Sequence, residues 1–429
     1  MARDDKRTLT PRLRFPEFRD KEGWCSRELG PMTRKVGSGI TPTGGGANYQ
    51  SSGRPFVRSQ NVGWGALILD DVAYIDEETH SSFDSSEIAA LDVLLNITGA
   101  SIGRSAVADS RIVGGNVNQH VCIIRVKPDE LNPVLLNQYL ISEHGQKQID
   151  SFQAGGNRQG LNFGQIRSFK ITLPPTEGEQ TRIANCLTSL DELIAAQARK
   201  VEALKAHKKS LVQQVFPCEG ETLPRLRFPE FRDAPEWCVD PLGELFETMT
   251  GGTPDRAVKE YWGGTIPWIT TSLVDFNVIH TAQEFITEAG LENSTAKLFP
   301  KDTVLVALYG QGKTRGKVAL LGFEATTNQA CAAILPTKEI DPVFTFLGLC
   351  GRYDEMRRLS NSGGQENLSQ GLIRELPFRY PEDVAEQLRI AACLSTLDAR
   401  IAGESDKLAA LKTHKQGLMQ QLFPSPEGD

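Results

Sequence analysis

Two stretches of the chain carry apolar residues at alternating steps of four and three positions, the a/d pattern of a helix that packs on another helix. In the first stretch these residues are Ile183, Leu187, Leu190, Ile194, Val201, Leu204, Leu211 and Val215. In the second they are Ile390, Leu394, Leu397, Ile401, Leu408, Leu411, Leu418 and Leu422. Together these residues are named the helix seam. Polar residues interrupt the two stripes at matched places, Gln197 and Lys208 in the first and Glu404 and Lys415 in the second.

The matched interruptions indicate what covers the stripes. Each helix could pack on its own domain or on the other helix, and identical interruptions favour one shared seam between two antiparallel helices. Thr176 and Asp383 each stand three residues before a glutamate, which predicts a capping box at both helix starts. Pro217 and Pro424 predict the helix ends. Each helix is therefore expected to be about 55 Å long.

Short β-like runs separated by glycine-rich turns precede each helix. In the first half they cover 55–62, 94–98, 105–109 and 120–126, and in the second 266–274, 303–310, 317–323 and 330–336. A further helix is predicted over 133–152 and another over 342–359. The predicted fold class is α+β, with two tandem domains that are each followed by a long helix. The predicted boundaries are 1–178, 179–217, 218–385 and 386–424.

An internal repeat supports this division. The string PRLRFPEFRD occurs at 11–20 and again at 224–233, and the two helix segments from Glu179 and Glu386 also match each other. The segments between these blocks have diverged. We therefore predict one scaffold, present twice, that presents two different recognition surfaces.

Composition and charge narrow the function classes. The chain has 429 residues, 39% hydrophobic and 24% charged, as in a soluble globular protein. It has no long apolar stretch and no signal-peptide pattern, so we expect no membrane partner and a cytoplasmic location. The net charge of −7 argues against nucleic acid as sole partner unless basic groups cluster or other subunits supply phosphate contacts. Eight cysteines without a CxxC pair are expected to be reduced thiols, not metal ligands.

One stretch resembles a nucleotide-binding motif. Ala307–Thr314 fits a relaxed P-loop, which leaves a P-loop enzyme as an alternative function. A working P-loop requires a helix that begins at the Lys-Thr pair, whereas a β-like run follows here. We therefore favour a glycine-rich hairpin loop. No motif for S-adenosylmethionine, dinucleotide or base methylation stands out, and we predict no catalytic and no metal-binding residues.

Polar loops between the β-like runs are the candidate recognition residues. Arginine suits guanine edges, asparagine and glutamine suit adenine edges, and serine, threonine and lysine often contact phosphates. In the first half the candidates are Arg58, Ser59, Gln60, Asn61, Ser101, Arg104, Asn157, Arg158 and Gln159. In the second they are Thr270, Thr271, Ser272, Lys313, Thr314, Arg315, Lys317, Gln365 and Asn367. Such loops can also be plain solvated surface, but these lie where the halves diverge.

Several motifs together resemble one known family. They are LRFPEF followed by a tryptophan, the Thr-Pro turn, the strand Pro267–Ile269, and LPPTEGEQTRIANCLTSLDELI at 173–194. This combination resembles specificity subunits of type I restriction-modification enzymes. The last motif recurs at 381–401, where Tyr380-Pro381-Glu382-Asp383 is a looser version of its entry. The resemblance covers nearly the whole chain.

The resemblance implies a function and a set of partners. It implies two target-recognition domains that each read half of a bipartite, asymmetric site in double-stranded DNA, with the long helices docking two methyltransferase subunits. Restriction subunits are expected to join that complex. S-adenosylmethionine, ATP and Mg are expected on those partners, and no cofactor is expected on this chain. A coiled-coil scaffold without DNA readout is the remaining alternative.

Overall fold

The computed structural model describes residues 8–42, 44–153, 160–310, 313–359 and 368–424. The chain divides into two compact units. Unit 1 comprises residues 1–198 and 406–429, and unit 2 comprises residues 199–405. Each unit therefore holds one α+β domain and part of both long helices. Within the described residues, no helix combines the length and apolarity needed to span a membrane.

Unit 1 contains short strands, short helices and the first long helix. In chain order its elements are β1 (Cys25–Glu28), β2 (Thr33–Ser38), β3 (Arg54–Val57), β4 (Ala73–Ile75), α1 (Glu77–Ser82), β5 (Val93–Asn96), β6 (Ser105–Val107), β7 (Asn116–Val117), β8 (Val121–Val126), α2 (Pro133–Ile141), α3 (Glu143–Ser151), α4 (Phe163–Arg167), β9 (Lys170–Leu173) and α5 (Glu177–Val215), of which α5 continues into unit 2. The sheets are β2-β8-β5-β6, β4-β3-β7 and the antiparallel pair β1-β9.

Unit 2 follows the same plan with additional strands. In chain order its elements are β10 (Cys238–Pro241), α6 (Leu242–Leu245), β11 (Thr248–Thr250), β12 (Trp262–Ile269), β13 (Asn277–Ile279), β14 (Glu284–Ile286), α7 (Glu288–Glu292), β15 (Leu298–Phe299), β16 (Val304–Ala307), β17 (Val318–Leu321), β18 (Ala325–Thr327), β19 (Cys331–Ile334), α8 (Pro342–Gly351), α9 (Tyr353–Leu359), α10 (Gln370–Arg374), β20 (Pro377–Tyr380) and α11 (Val384–Leu422), of which α11 continues into unit 1. The sheets are β11-β19-β16-β17-β13, β14-β12-β18-β15 and β10-β20.

The helices predicted before the long helices are each broken in two. The prediction over 133–152 is wrong at Ser142, whose backbone is extended and whose hydroxyl accepts a hydrogen bond from the Gly145 N–H at 3.3 Å. Ser142 thus caps a new helix, α3. In unit 2 the break falls at Arg352, where φ is −103° and ψ is 15°, between α8 and α9.

The two long helices have 39 residues each, about 58 Å at 1.5 Å per residue. Thr176 caps α5, because its hydroxyl accepts a hydrogen bond from the Glu179 N–H at 3.3 Å. The Asp383 carboxylate caps α11 by accepting from the Ala385 N–H at 2.8 Å. The predicted capping boxes are otherwise wrong, since both glutamate carboxylates bond elsewhere, as described below.

The antiparallel pairing of the two helices is confirmed in each unit taken by itself. In unit 1, Ile183 and Leu187 near the start of α5 share a core with Leu422 at the end of α11. In unit 2, Val215 at the end of α5 shares a core with Ile390 near the start of α11. Every position of the helix seam is buried or half-buried.

The lysines that interrupt the helix seam each form an ion pair with the facing helix. In unit 1, Lys415 lies 2.5 Å from Asp191. In unit 2, Lys208 lies 2.5 Å from Asp398. The two aspartates occupy matched positions of the repeat, so the same charged contact is made twice.

Candidate nucleic-acid interface

A buried ion pair fixes the start of each long helix to the domain before it. The Arg14 guanidinium donates to both carboxylate oxygens of Glu179 at 2.7 and 2.8 Å, and the Trp24 indole N–H donates to the same carboxylate at 3.1 Å. The side chains of Arg14 and Glu179 are only 5% and 1% exposed. This bidentate bond raises the pKa of Arg14 above its usual value. We name this group clamp 1.

Unit 2 contains the same arrangement, clamp 2. Arg227 donates to Glu386 at 2.8 and 2.7 Å, and the Trp237 indole donates to it at 3.3 Å. The neighbouring glutamines secure a second point in each unit. The Gln180 side-chain oxygen accepts from the Asn132 N–H at 2.8 Å, and that of Gln387 accepts from the Asp341 N–H at 2.8 Å. The repeated sequence blocks therefore form the contacts that hold each long helix to its domain, and these contacts are named the frame.

The loops of unit 1 meet at one edge, built from the ends of β2, β3, β5 and β7 and the starts of β6 and β8. The Gly39 N–H donates to the Asn118 carbonyl at 3.2 Å, and the Asn118 N–H donates to the Val57 carbonyl at 3.0 Å. The Asn96 side chain donates to the Ser59 carbonyl at 2.8 Å. We name residues 39–42, 58–66, 97–104 and 118–120 loop edge 1.

Unit 2 forms a matching edge, in which the Asn328 hydrogen bond repeats that of Asn118 and the Gly252 hydrogen bond is shifted by one residue from that of Gly39. The Gly252 N–H donates to the Thr327 carbonyl at 2.8 Å, and the Asn328 N–H donates to the Ile269 carbonyl at 3.0 Å. We name residues 251–254, 270–276, 308–310, 313–317 and 328–330 loop edge 2. Both edges gather loops that are far apart in the sequence.

Some side chains are identical on the two edges. Thr41 pairs with Gln119 on loop edge 1, and Thr253 pairs with Gln329 at 2.5 Å on loop edge 2. Reasoning from the sequence did not place these residues in the site. Their signal was available, because the Thr-Pro and Asn-Gln pairs recur at matched positions in both halves.

Other matched positions carry different side chains. The Ile97 N–H donates to the His120 carbonyl at 3.0 Å, as the Leu308 N–H donates to the Ala330 carbonyl at 2.8 Å. The following residues, Thr98 and Tyr309, therefore occupy equivalent places. On loop edge 1 the Thr98 hydroxyl lies 2.5 Å from His120 Nδ1, a contact that the alanine of loop edge 2 does not offer. These differences were also missed from the sequence.

The first group of predicted residues lies on loop edge 1, where β3 ends at Val57 and the chain turns through Ser59–Asn61. Arg58 lies over the Tyr49 ring at 5.3 Å and donates to the Asp71 carbonyl at 2.7 Å. Gln60 donates to the Asp71 carboxylate at 2.5 Å. Asn61 is buried, and its amide is used within the loop, accepting from the Arg58 N–H at 3.0 Å. Asn61 thus shapes the turn and is not presented to a ligand.

The loop before β6 places two further predicted residues on the same edge. The Ser101 carbonyl accepts from the Arg104 N–H at 3.2 Å, which closes a short turn. Arg104 is half-buried, and its side chain has no hydrogen-bond or ion-pair partner among the described residues. Buried polar atoms that lack a partner within the described chain also lie close by, namely Asn96 Oδ1 and Ser105 Oγ. Buried polar atoms without a partner are uncommon in folded proteins.

The corresponding residues of the second half lie on loop edge 2. The predicted strand 266–274 ends at Ile269, after which a turn forms over Thr271–Leu273. The hydroxyls of Thr270 and Ser272 lie 2.6 Å apart. Lys317 forms an ion pair with Asp275 at 2.6 Å.

The P-loop alternative is wrong. Strand β16 pairs antiparallel with β17, with Val304 opposite Leu320 and Val306 opposite Val318. Lys313, Thr314 and Arg315 therefore lie in the turn before β17, and no helix N-terminus faces a phosphate there. The hairpin interpretation is confirmed.

Five predicted residues lie outside the described part of the chain. They are Asn157, Arg158, Gln159, Gln365 and Asn367. Across the residues that the structure describes, no group of three or more His, Cys, Asp and Glu side chains could hold a metal ion.

Both halves of the chain are similar in sequence to known proteins. The sequence model of the type I restriction modification DNA specificity domain matches residues 34–206 and 235–413, one copy in each half. A Methanocaldococcus jannaschii protein that carries the provisional name type I restriction enzyme MjaX specificity subunit is 22% identical over 410 residues, covering 94% of this chain and 93% of that protein. The Escherichia coli EcoR124I/EcoR124II specificity subunit is 27% identical over 168 residues, covering 38% and 41%.

Solved structures share the fold. A type I restriction-modification S subunit from M. genitalium matches with a TM-score of 0.60 at 16% identity, covering 97% of this chain and 100% of that chain. A chain from a study of complex assembly and conformational transition of the type I R-M system matches at 0.58 and 17% identity, covering 94% and 98%. Since the domain model matches both halves, the chain belongs to the type I restriction-modification DNA specificity family, whose members are non-catalytic recognition subunits.

Proposed function

We propose that loop edges 1 and 2 are the two DNA-reading surfaces of this specificity subunit, each of which reads one half of a bipartite, asymmetric site in double-stranded DNA. One observation carries the proposal. The two edges share the backbone hydrogen bonds of Asn118 and Asn328 and of Ile97 and Leu308, but they differ in side chains at equivalent places, Thr98 against Tyr309 and His120 against Ala330. A constant frame with variable side chains suits two different half-sites.

Side chains that are the same on both loop edges are assigned to the DNA backbone, and side chains that differ between the edges are assigned to the bases. The pairs Thr41–Gln119 and Thr253–Gln329 recur on both edges, so they suit the sugar-phosphate backbone, which is the same at every site. Thr98, His120 and Tyr309 differ between the edges and suit base edges. A scaffold without DNA readout gives no reason for this division.

The partners follow from the family. We propose that the paired helices dock two methyltransferase subunits and that restriction subunits join the complex in the cytoplasm. The helices retain large apolar side chains for such contacts, because Leu193 on α5 is 49% exposed and Leu388 on α11 is 51% exposed. S-adenosylmethionine, ATP and Mg are assigned to those partners. Subunits that supply phosphate contacts would also reconcile DNA binding with a net charge of −7.

The test converts part of loop edge 1 to the identity of loop edge 2. We predict that Thr98→Tyr with His120→Ala changes or abolishes recognition of one half-site, because each lost base contact costs about 1–3 kcal/mol. Recognition of the other half-site should stay unchanged. Methylated positions are mapped genome-wide in cells that carry the wild-type or variant subunit.

The control is Leu91→Ala, an exposed residue just before the start of β5, at the opposite end of that strand from Asn96. It should leave the methylation pattern intact. If the double variant methylates the wild-type sequence, loop edge 1 is not a reading surface.

A further inference from the structure

Loop edge 1 carries the two most exposed large apolar side chains of the described chain. Trp64 is 58% exposed and Ile40 is 56% exposed, followed by Leu91 at 54% on the opposite edge. Isolated apolar residues on a surface are ordinary. A tryptophan this exposed, on a turn whose backbone pairs with the residue after Arg104, is not explained by stability.

The backbone that carries Trp64 is firmly held. The Gly63 N–H donates to the Ala66 carbonyl at 2.9 Å, and the Gly65 N–H donates to the Ser105 carbonyl at 2.8 Å. Gly65 has a φ of +86°, which suits glycine. Trp64 therefore sits at the tip of a tight turn, and its backbone pairs with Ser105 at the start of β6, the residue after Arg104. Because the turn is already ordered, a contact made by Trp64 costs little conformational entropy.

In unit 2 the turn that corresponds to the Trp64 turn has different side chains and contacts. The Phe276 N–H donates to the Val318 carbonyl at 2.8 Å, which is the counterpart of the Gly65 contact. The Phe276 ring packs edge-on against Tyr353 with 5.2 Å between ring centroids. Its neighbour Asp275 is held by the ion pair with Lys317. Within the described residues, the Phe276 ring of unit 2 therefore has an aromatic neighbour, whereas the Trp64 ring of unit 1 has none.

We propose that Trp64 stacks on a base or sugar of the half-site read by loop edge 1, while Arg104 bonds the adjacent phosphate. The proposal rests on the proposed function of that edge. Aromatic side chains stack on any base, because every base has a π face, and they can wedge between base steps. Trp64 thus contributes affinity and local DNA shape, and the polar neighbours supply base identity. Loop edge 2 has Asp275 and Phe276 at the counterpart of this turn and makes no such contact there.

The experiment uses the full chain assembled with its methyltransferase subunits, and the duplex identified by methylation mapping. Affinities for this duplex and for a scrambled duplex are measured by fluorescence anisotropy. Trp64→Ala is expected to weaken binding of the specific duplex about 5- to 150-fold, the range for one lost stacking contact. Trp64→Phe should retain most of the affinity, and Leu91→Ala should retain all of it. Quenching of tryptophan emission by the specific duplex should be smaller in Trp64→Phe than in the wild type.

Each result has a defined meaning. Equal affinities of Trp64→Ala and the wild type, with the wild type still preferring its specific duplex, overturn the role of Trp64 and leave the reading function intact. A wild-type complex with no preference overturns the reading function itself. If Trp64→Ala and Trp64→Phe both prevent assembly with the methyltransferase, Trp64 contacts a protein subunit, and the proposal is wrong.

Discussion

Glu179 and Glu386 occupy matched positions at the starts of the two long helices. Each carboxylate accepts hydrogen bonds from an arginine and a tryptophan of the repeated N-terminal block. A buried carboxylate with no partner is very unfavourable, so the arginine, the glutamate and the indole form one interdependent group. Repeating this group in both halves fixes each domain to its helix, whatever the recognition loops contain.

We predict that Glu179→Ala destabilises the protein by about 3–5 kcal/mol, because it leaves Arg14 charged and buried without its partner. Replacing both residues, Arg14→Met with Glu179→Ala, should recover part of that loss. The free energy of unfolding is measured by chemical denaturation. Glu177→Ala is the control, since Glu177 lies exposed in the same helical turn. Equal losses for Glu177→Ala and Glu179→Ala would contradict the role of clamp 1.

The sequence predicted the glutamates but not what they contact. Three-residue spacing from Thr176 and Asp383 is typical of a capping box, which is a local device. Arg14 and Glu179 are 165 positions apart, and no periodicity joins them. Asn61 shows the same limit, because its amide bends the chain after Val57 where β-propensity alone predicted a continuing strand.

At the scale of elements, the long helices were the most predictable part of the fold. Their heptad pattern extends over many turns, and the apolar positions bury one continuous stripe. The short strands were located, but their ends were not, because turn hydrogen bonds decide where a strand stops. The grouping of loops into two edges depends on strand order, which the local pattern does not contain.

We predict that the native Cys186 forms a disulfide with a cysteine introduced at Leu418, because both residues line one small cavity of unit 1. A cysteine introduced at Leu411, about two helical turns earlier in α11, should not form one with Cys186. Oxidised and reduced samples are compared by peptide mass spectrometry. Preferential joining of Cys186 to the cysteine at 411 would refute the observed helix register.

At the scale of the whole molecule, the form of the DNA target follows from the proposed reading by two similar frames with different edges. We predict a target of two unlike half-sites around an unread spacer. For readers on one face of the duplex, half-site centres are expected about 10 base pairs apart, one helical turn. Genome-wide methylation mapping measures the target directly. A continuous palindrome would rule out the two-edge assignment.

The core of unit 1 has a consequence for the order of folding. His144 Nε2 lies 3.1 Å from the carbonyl oxygen of Phe423, although the two residues are 279 positions apart, and Met419 and Leu422 complete the core around Trp24 and Leu187. At about 5–20 residues per second, a ribosome needs on the order of tens of seconds to synthesise the intervening chain. The core of the first domain is therefore completed only after the end of α11 has been synthesised, and until then the apolar surface that Met419 and Leu422 cover stays exposed.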